Sequence, residues 1–476
     1  MKSTSTHYNR GFIYFICLVS AMGGLLFGYD WVVIGGAKPF YETFFGIGND
    51  PSQQGLAMSI ALAGCLVGAM LCGSLADRIG RRPLLIVSAL IFLVSAYATG
   101  AFDTFSLFLI ARFVGGIAIG IASGLSPMYI AEVAPGSIRG RLVSLNQLTI
   151  VLGILGAQIV NYLIAEPMPA GTTVPPADSW NVLSGWRWMF WSAAFPAAIF
   201  LLLALFIPES PRWLALRGRK PTATAILAKI GGEGYAHSEI EAISSITGSE
   251  RGSKGSLGTL FSRPYRMVLV LGICIAVFQQ WCGTNVIFNY AQEIFSNAGY
   301  DLGEMLFNIV LTGITNVVFT IAAIYSVDRL GRKKLMLIGA GGLAVIYAVL
   351  GACYLMQITG FFMVILVVAA IACYAMTLGP VTWVLIAELF PNRVRATAVA
   401  TCTFALWAAS FILTYSFPLL NTALGSYGTF WIYSGVCVAG FIFFSLRLPE
   451  TKGKSLEQLE KELVDDSEPQ IISTDF

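Results

Sequence analysis

Gly73-Ser74-Leu75-Ala76-Asp77-Arg78-Ile79-Gly80-Arg81-Arg82 follows a long apolar run, and a shortened copy, Val327-Asp328-Arg329-Leu330-Gly331-Arg332-Lys333, follows another about 250 residues later. Two further pairs keep a similar offset. Ala131-Glu132-Val133-Ala134-Pro135 with Arg139 answers Ala387-Glu388-Leu389-Phe390-Pro391 with Arg395, and Pro208-Glu209-Ser210 answers Pro449-Glu450-Thr451. Three landmarks repeated in the same order mark an internal duplication. In each half the charged turn sits between apolar stretches, so the duplicated unit is a membrane unit.

The composition agrees. The chain is 56% hydrophobic and 12% charged, with a mean hydropathy of +0.74, leaving too little polar surface to cover a soluble globule of this size. Apolar stretches of about 20 residues predict an all-α membrane protein with about twelve spans. They start near Gly11, Gln54, Leu84, Ser106, Val143, Met189, Met267, Leu306, Leu335, Phe361, Ala396 and Phe430. The expected organisation is a six-helix half over residues 1–207, a cytoplasmic helical linker over 208–265, a second six-helix half over 266–448 and a cytoplasmic tail over 449–476. The linker is rich in Lys, Glu, Ser and Gly, with weakly amphipathic stretches at Pro221 to Ile230 and His237 to Ile246.

Orientation follows from the short loops. Those after spans two, four, eight and ten carry Arg78, Arg81, Arg82, Arg139, Arg141, Arg329, Arg332, Lys333, Lys334, Arg393 and Arg395, whereas the opposite side offers little beyond Lys38 and Arg187. Positive charge stays inside, so both termini are expected in the cytoplasm. The first apolar segment runs into Phe27-Gly28-Tyr29-Asp30 with no small-residue cleavage site, which reads as a retained helix rather than a signal peptide. The absence of Asn-x-Ser/Thr sequons and a short first outer loop favour a bacterial inner membrane. The nine cysteines fall almost entirely within spans, with no spacing suited to a disulfide framework or a metal site. The net charge of +3 comes from the basic loops and implies no nucleic-acid partner. No nucleophile–base constellation or phosphate loop points to an enzyme, and no cofactor is expected.

Two charges are read as intramembrane: Asp30 in the first span and Arg112 in the fourth. Such residues are costly in lipid and are functional candidates. At about 1.5 Å per residue, about eight residues from the outer end of one helix and about seven from that of the other, they share a depth and are expected to meet. One reading is a static brace. The other is a proton carrier: Asp30 gives up its proton when paired and takes one when the pair separates, since a neighbouring cation favours the carboxylate and dry surroundings favour the neutral acid. His7 and His237 lie outside the spans, so no histidine relay crosses the membrane.

Span seven carries Gln279-Gln280-Trp281-Cys282-Gly283-Thr284-Asn285. Gln279 and Gln280 are six and five residues from Asn285, poor spacings for one face of a regular helix. A break near Gly283 is expected to bring the amides together, as in discontinuous transporter helices. Amides and aromatic faces suit a polyhydroxylated ring; interhelical hydrogen bonding is the simpler alternative. At the cytoplasmic ends, Asp77, Arg81, Glu132, Arg139, Glu209 and Arg212, with Asp328, Arg332, Glu388, Arg395 and Glu450 in the second half, read as a charge latch between the halves, each exposed pair contributing about 0–1 kcal/mol.

These repeated motifs, with Pro208-Glu209-Ser210-Pro211-Arg212 and Pro449-Glu450-Thr451-Lys452-Gly453, resemble the sugar porter family of the major facilitator superfamily over nearly the whole chain. The bacterial proton-coupled xylose symporters are most similar, the facilitative glucose transporters less so. The resemblance implies the major facilitator fold and alternating access around a central monosaccharide site, with D-xylose or D-glucose and a proton as cargo; the chain is expected to function as a monomer. It matches Gln279, Gln280 and Asn285 to the family's sugar-binding amides and adds Gln147, Asn316, Gly379, Trp383 and Trp407. Phe27 and Tyr290 are candidates for the wall or gate, although aromatic residues on spans more often only pack. The resemblance also exposes two departures: Ile154 stands where the xylose symporters have a glutamine, and Leu406 replaces an amide before the second tryptophan. A uniporter and a nontransporting sugar sensor are the other readings within the family.

Overall fold

A helix in hydrocarbon satisfies its own backbone, so a chain this apolar resolves into helices. The computed structural model describes residues 8–169, 174–250, 257–391 and 394–452. The first half contains α1 (Arg10–Phe45), α2 (Pro51–Ile79), α3 (Arg81–Ala101), α4 (Phe105–Val133), α5 (Arg139–Ile164), α6 (Trp186–Ser192) and α7 (Ala194–Ala204). The last two, with a π turn at Asn181–Gly185, make the sixth span, which therefore begins before Met189. The short α8 (Pro211–Leu216), α9 (Lys220–Gly231), α10 (Glu233–Glu250) and α11 (Leu257–Leu260) form the linker. α9 and α10 cover the two stretches read as weakly amphipathic, and Asn9 N–H donates to the Ile230 carbonyl at 2.8 Å, fastening α9 beneath α1.

The second half consists of α12 (Arg263–Trp281), α13 (Thr284–Asn289), α14 (Ala291–Asn297), α15 (Leu302–Leu330), α16 (Arg332–Leu355), α17 (Phe361–Met376), α18 (Leu378–Glu388) and α19 (Arg395–Arg447). Among the described residues, eleven helical segments are long and apolar enough to span a bilayer. The last, α19, has 53 residues and a non-helical Gly425 at φ 69, ψ 170. At about 1.5 Å per residue it is far too long for one crossing, and the break at Gly425 makes it spans eleven and twelve.

Lipid tails are as apolar as leucine, so these helices are held by close approach. Gly64 and Gly68 of α2 lie against the carbonyls of Phe113 and Ile117 on α4, while Gly116 and Gly120 of α4 lie against those of Ala61 and Cys65 on α2. A Cβ at any of these four positions would stand 2.0–2.2 Å from a backbone oxygen. Gly28 and Gly153 seat α1 against α5 in the same way. Asp30 and Arg112 are thus carried on helices whose spacing leaves no room for a methyl group.

The face bearing the basic loops is termed inner and the opposite face outer. From the Phe27–Trp407 ring contact (5.5 Å) outward, the halves touch at Gln158–Thr312, Tyr162–Phe307 and Ser52–Tyr415. The outer side is closed.

Candidate functional site

Asp30 and Arg112 meet. Arg112 Nη1 donates to Asp30 Oδ1 at 2.6 Å, with the residues 6% and 3% exposed. The guanidinium also stands 5.4 Å from the centre of the Phe190 ring. A cavity of about 10 Å³, lined in part by Phe27, Met58, Cys65 and Ile119, reaches the pair, about the room one water needs.

The second charged cluster is a correction to the sequence reading. α1 continues to Phe45, with Gly46 at φ 69 ending it, so Lys38 is a helix residue rather than an outer-loop charge. It is 1% exposed and pairs with Glu42 of its own helix at 3.0 Å and with Glu293 of α14 in the other half. Its ammonium also faces the Tyr290 ring at 5.5 Å. Asp30 and Arg112 are therefore not the sole buried charges. The Lys38–Glu42 spacing of four was the available signal, obscured by Pro39 between them. Arg187 does sit near the outer face, paired with Asp103 at 2.6 Å.

The break at Gly283 is present. α12 ends at Trp281 and α13 begins at Thr284, with Gly283 at φ 87 packed so closely on Tyr433 and Tyr347 that a side chain would collide. The turn brings three amides into a chain: Asn285 Nδ2 donates to Gln280 Oε1, and Gln280 Nε2 donates to Gln279 Oε1 at 2.6 Å. Gln279 Nε2 donates to Tyr374 Oη at 2.8 Å, recruiting a residue from α17 that no sequence spacing marked. Each NH2 group keeps a second hydrogen for another acceptor.

The other expected site residues are more dispersed. Asn316 on α15, Gly379 on α18 and Ile154 on α5 are buried, Gln147 is half-buried and Trp383 is 40% exposed. Leu406 and Trp407 are buried on α19, Trp407 making an edge contact with Phe27, which stacks on Trp31 at 5.3 Å. Tyr290 is fully buried, its hydroxyl donating to the Thr414 carbonyl at 2.6 Å.

The inner charges also require a correction. Among the described residues, the pairs they form lie within each half. Arg81 makes two bonds to Glu132, at 3.0 and 2.9 Å, and one to Asp77 at 3.2 Å. Glu209 accepts the Arg81 and Arg82 backbone N–H groups at the start of α3, and the Ser210 hydroxyl donates to Glu132 at 2.5 Å. The second half repeats this: Arg332 pairs with Glu388 at 3.0 Å, Glu450 accepts the Arg332 and Lys333 N–H groups, and Thr451 donates to Glu388. The duplicated spacing reflects one fold built twice, each carboxylate closing a helix N-terminus. Burial works to raise the Glu450 carboxyl, but bonds from the Lys452, Arg332, Lys333 and Thr451 backbone outweigh it and hold it below the usual carboxylate range. Arg139 and Arg395 each reach back to a carbonyl five residues earlier, and Arg212 is exposed. The Asp328 side chain, Arg393 and the tail beyond Lys452 lie outside the described residues.

Residues 16–463 match the family model described as "Sugar (and other) transporter". The chain belongs to the sugar transporter family. This transporter is 38% identical to the arabinose-proton symporter of Bacillus subtilis (strain 168), the alignment covering 95% of the chain and 96% of the relative. It is 37% identical to the D-xylose-proton symporter of Escherichia coli (strain K12), covering 96% of each. Among solved structures, the partially occluded inward-open xylose transporter XylE from E. coli superposes with a TM-score of 0.82 at 36% identity, covering 94% of the transporter and 100% of the neighbour. The family and these relatives are membrane transporters with the major facilitator fold, and the outer closure seen here agrees with that inward-open neighbour.

Proposed function

We propose that this transporter is a proton-coupled symporter of a monosaccharide, an aldopentose or aldohexose with D-xylose or D-glucose first, working by alternating access. The observation that carries the proposal is the buried 2.6 Å Arg112–Asp30 pair. Breaking a charge pair in this setting is costly, so a conformational change that opens it gives Asp30 reason to accept a proton from the outer side, and re-forming the pair releases that proton to the inner side. The arabinose- and xylose-proton symporters among its relatives support the coupling.

Sugar binds between the halves, with the Gln279–Gln280–Asn285 chain supplying donors and acceptors and Gln147, Asn316, Gly379, Trp383 and Trp407 completing the site. Phe27 and Tyr290 close it from the outer side. Lys38 and Glu293 clamp the outer face of the same state. The transporter acts as a monomer in a bacterial inner membrane, its basic loops and both termini in the cytoplasm. Uptake into proteoliposomes tests the reading: an imposed inward proton gradient must drive sugar accumulation, which a uniporter cannot support. A sensor would bind sugar without moving it.

A further inference from the structure

The geometry points to Gln158 as a specificity-determining residue, the amide that supplies the hydroxyl partner Ile154 cannot; this rests on the sugar reading above. On α5, Gln147, Ile154 and Gln158 are spaced seven and four apart and so share a face. On α15, Thr312 precedes Asn316 by four and shares its face. α5 runs outward and α15 inward, so Gln158 and Thr312 meet about one helical turn, roughly 5.4 Å, outward of Ile154 and Asn316. That rise is comparable to the width of a pyranose ring.

Gln158 is 1% exposed. Its Nε2 donates to Thr312 Oγ1 at 3.4 Å, across the two halves. Thr312 Oγ1 in turn donates to the Ile309 carbonyl at 2.6 Å, so its single proton is committed and it faces Gln158 only as an acceptor. This fixes the amide: the NH2 group points to Thr312 and the carbonyl points away. Among the described residues, none donates a hydrogen bond to Gln158 Oε1. An ideal Cβ at Gly313 would stand 1.9 Å from that oxygen, so the oxygen itself occupies the room that glycine at 313 leaves. The result is a buried, oriented acceptor at the seam between the halves, complementary to one donating hydroxyl. Gln158 thereby reads the sugar at a single carbon, whereas the three amides of α12 and α13 hold it generally.

The test is sugar titration of the purified full-length transporter with its preferred monosaccharide and the monodeoxy analogues of that sugar. Gln158→Leu keeps the side-chain bulk and removes the acceptor. The expected result is a five- to tenfold loss of affinity for the parent sugar and an unchanged affinity for the one deoxy analogue that lacks the partnered hydroxyl. Gly313→Ala, which displaces the amide without deleting it, should flatten the same deoxy series. An equal loss for every analogue in folded Gln158→Leu, or no loss for the parent sugar, overturns the inference. If Gln158→Leu does not fold, an unflattened deoxy series in Gly313→Ala overturns it alone. Gln280→Ala separates the two readings: if it weakens sugar binding while the Gln158 and Gly313 variants do not, only this inference fails, whereas wild-type protein that binds no monosaccharide refutes the proposed function.

Discussion

Lys38 of α1 and Glu293 of α14 are ion-paired across the two halves, with Glu42 holding the same ammonium at 3.0 Å from within α1. Opening the outer side must part Lys38 from Glu293 while leaving Lys38 with Glu42, so the cluster resists opening without trapping an isolated cation. Lys38→Met should therefore shift the protein toward outward-open forms and lower its thermal stability, since removing one partner of a buried pair typically costs about 3–5 kcal/mol. A spin-label distance between the outer ends of α1 and α14 checks this. The long-distance population should grow, and the exchange Lys38→Glu with Glu293→Lys should shrink it again. A distribution identical to wild type in Lys38→Met contradicts the clamp.

The inner networks lead to a different expectation. Because Arg81 bonds to Glu132 and Arg332 to Glu388, coupling should be confined to each half. Double-mutant cycles on thermal stability should give about 0.5–3 kcal/mol for Arg81 with Glu132 and near-additivity for Arg81 with Glu388. Coupling of similar size in both cycles would restore the latch between halves that sequence spacing had implied.

The amide chain makes recognition testable in the same terms. Gln280→Ala removes both the acceptor for Asn285 and the donor to Gln279, so its effect on sugar affinity, on the order of 1–3 kcal/mol, should not add to that of Asn285→Ala. Isothermal titration of the single and double variants decides. Additive losses would mean that the two amides act on sugar independently, and unchanged affinity would place the site elsewhere.

The architecture was readable because hydropathy and duplicated charged turns report directly on spans and their order; the last two spans were separable, and the non-helical Gly425 lies between them. Asp30 and Arg112 were readable as partners because each is a charge within an apolar span; the count from the outer ends did not hold, since α1 runs on to Phe45, well beyond the about eight residues assumed after Asp30. Partner identity at the inner face was not. Arg81 has acids available in both halves, and nothing in the spacing says that Glu132 is the one within reach. Lys38 and Glu42 were hidden for a different reason: Pro39 and the polar residues around it look like the end of a span, yet the helix runs on to Phe45 because proline removes one N–H without preventing the turns that follow. Gln158 escaped notice because its significance depends on Thr312, some 150 residues away in the chain.

The most direct test of the central claim, that Asp30 carries the coupled proton, compares two assays on one variant. Moving one proton down about 100 mV releases roughly 2.3 kcal/mol, enough for about a fifty-fold sugar gradient. In proteoliposomes, Asp30→Asn should fail to concentrate sugar against its gradient yet retain counterflow close to wild type, because exchange requires binding and rocking but no net proton movement. Asp30→Asn protein that still concentrates sugar in response to an imposed proton gradient would contradict the account.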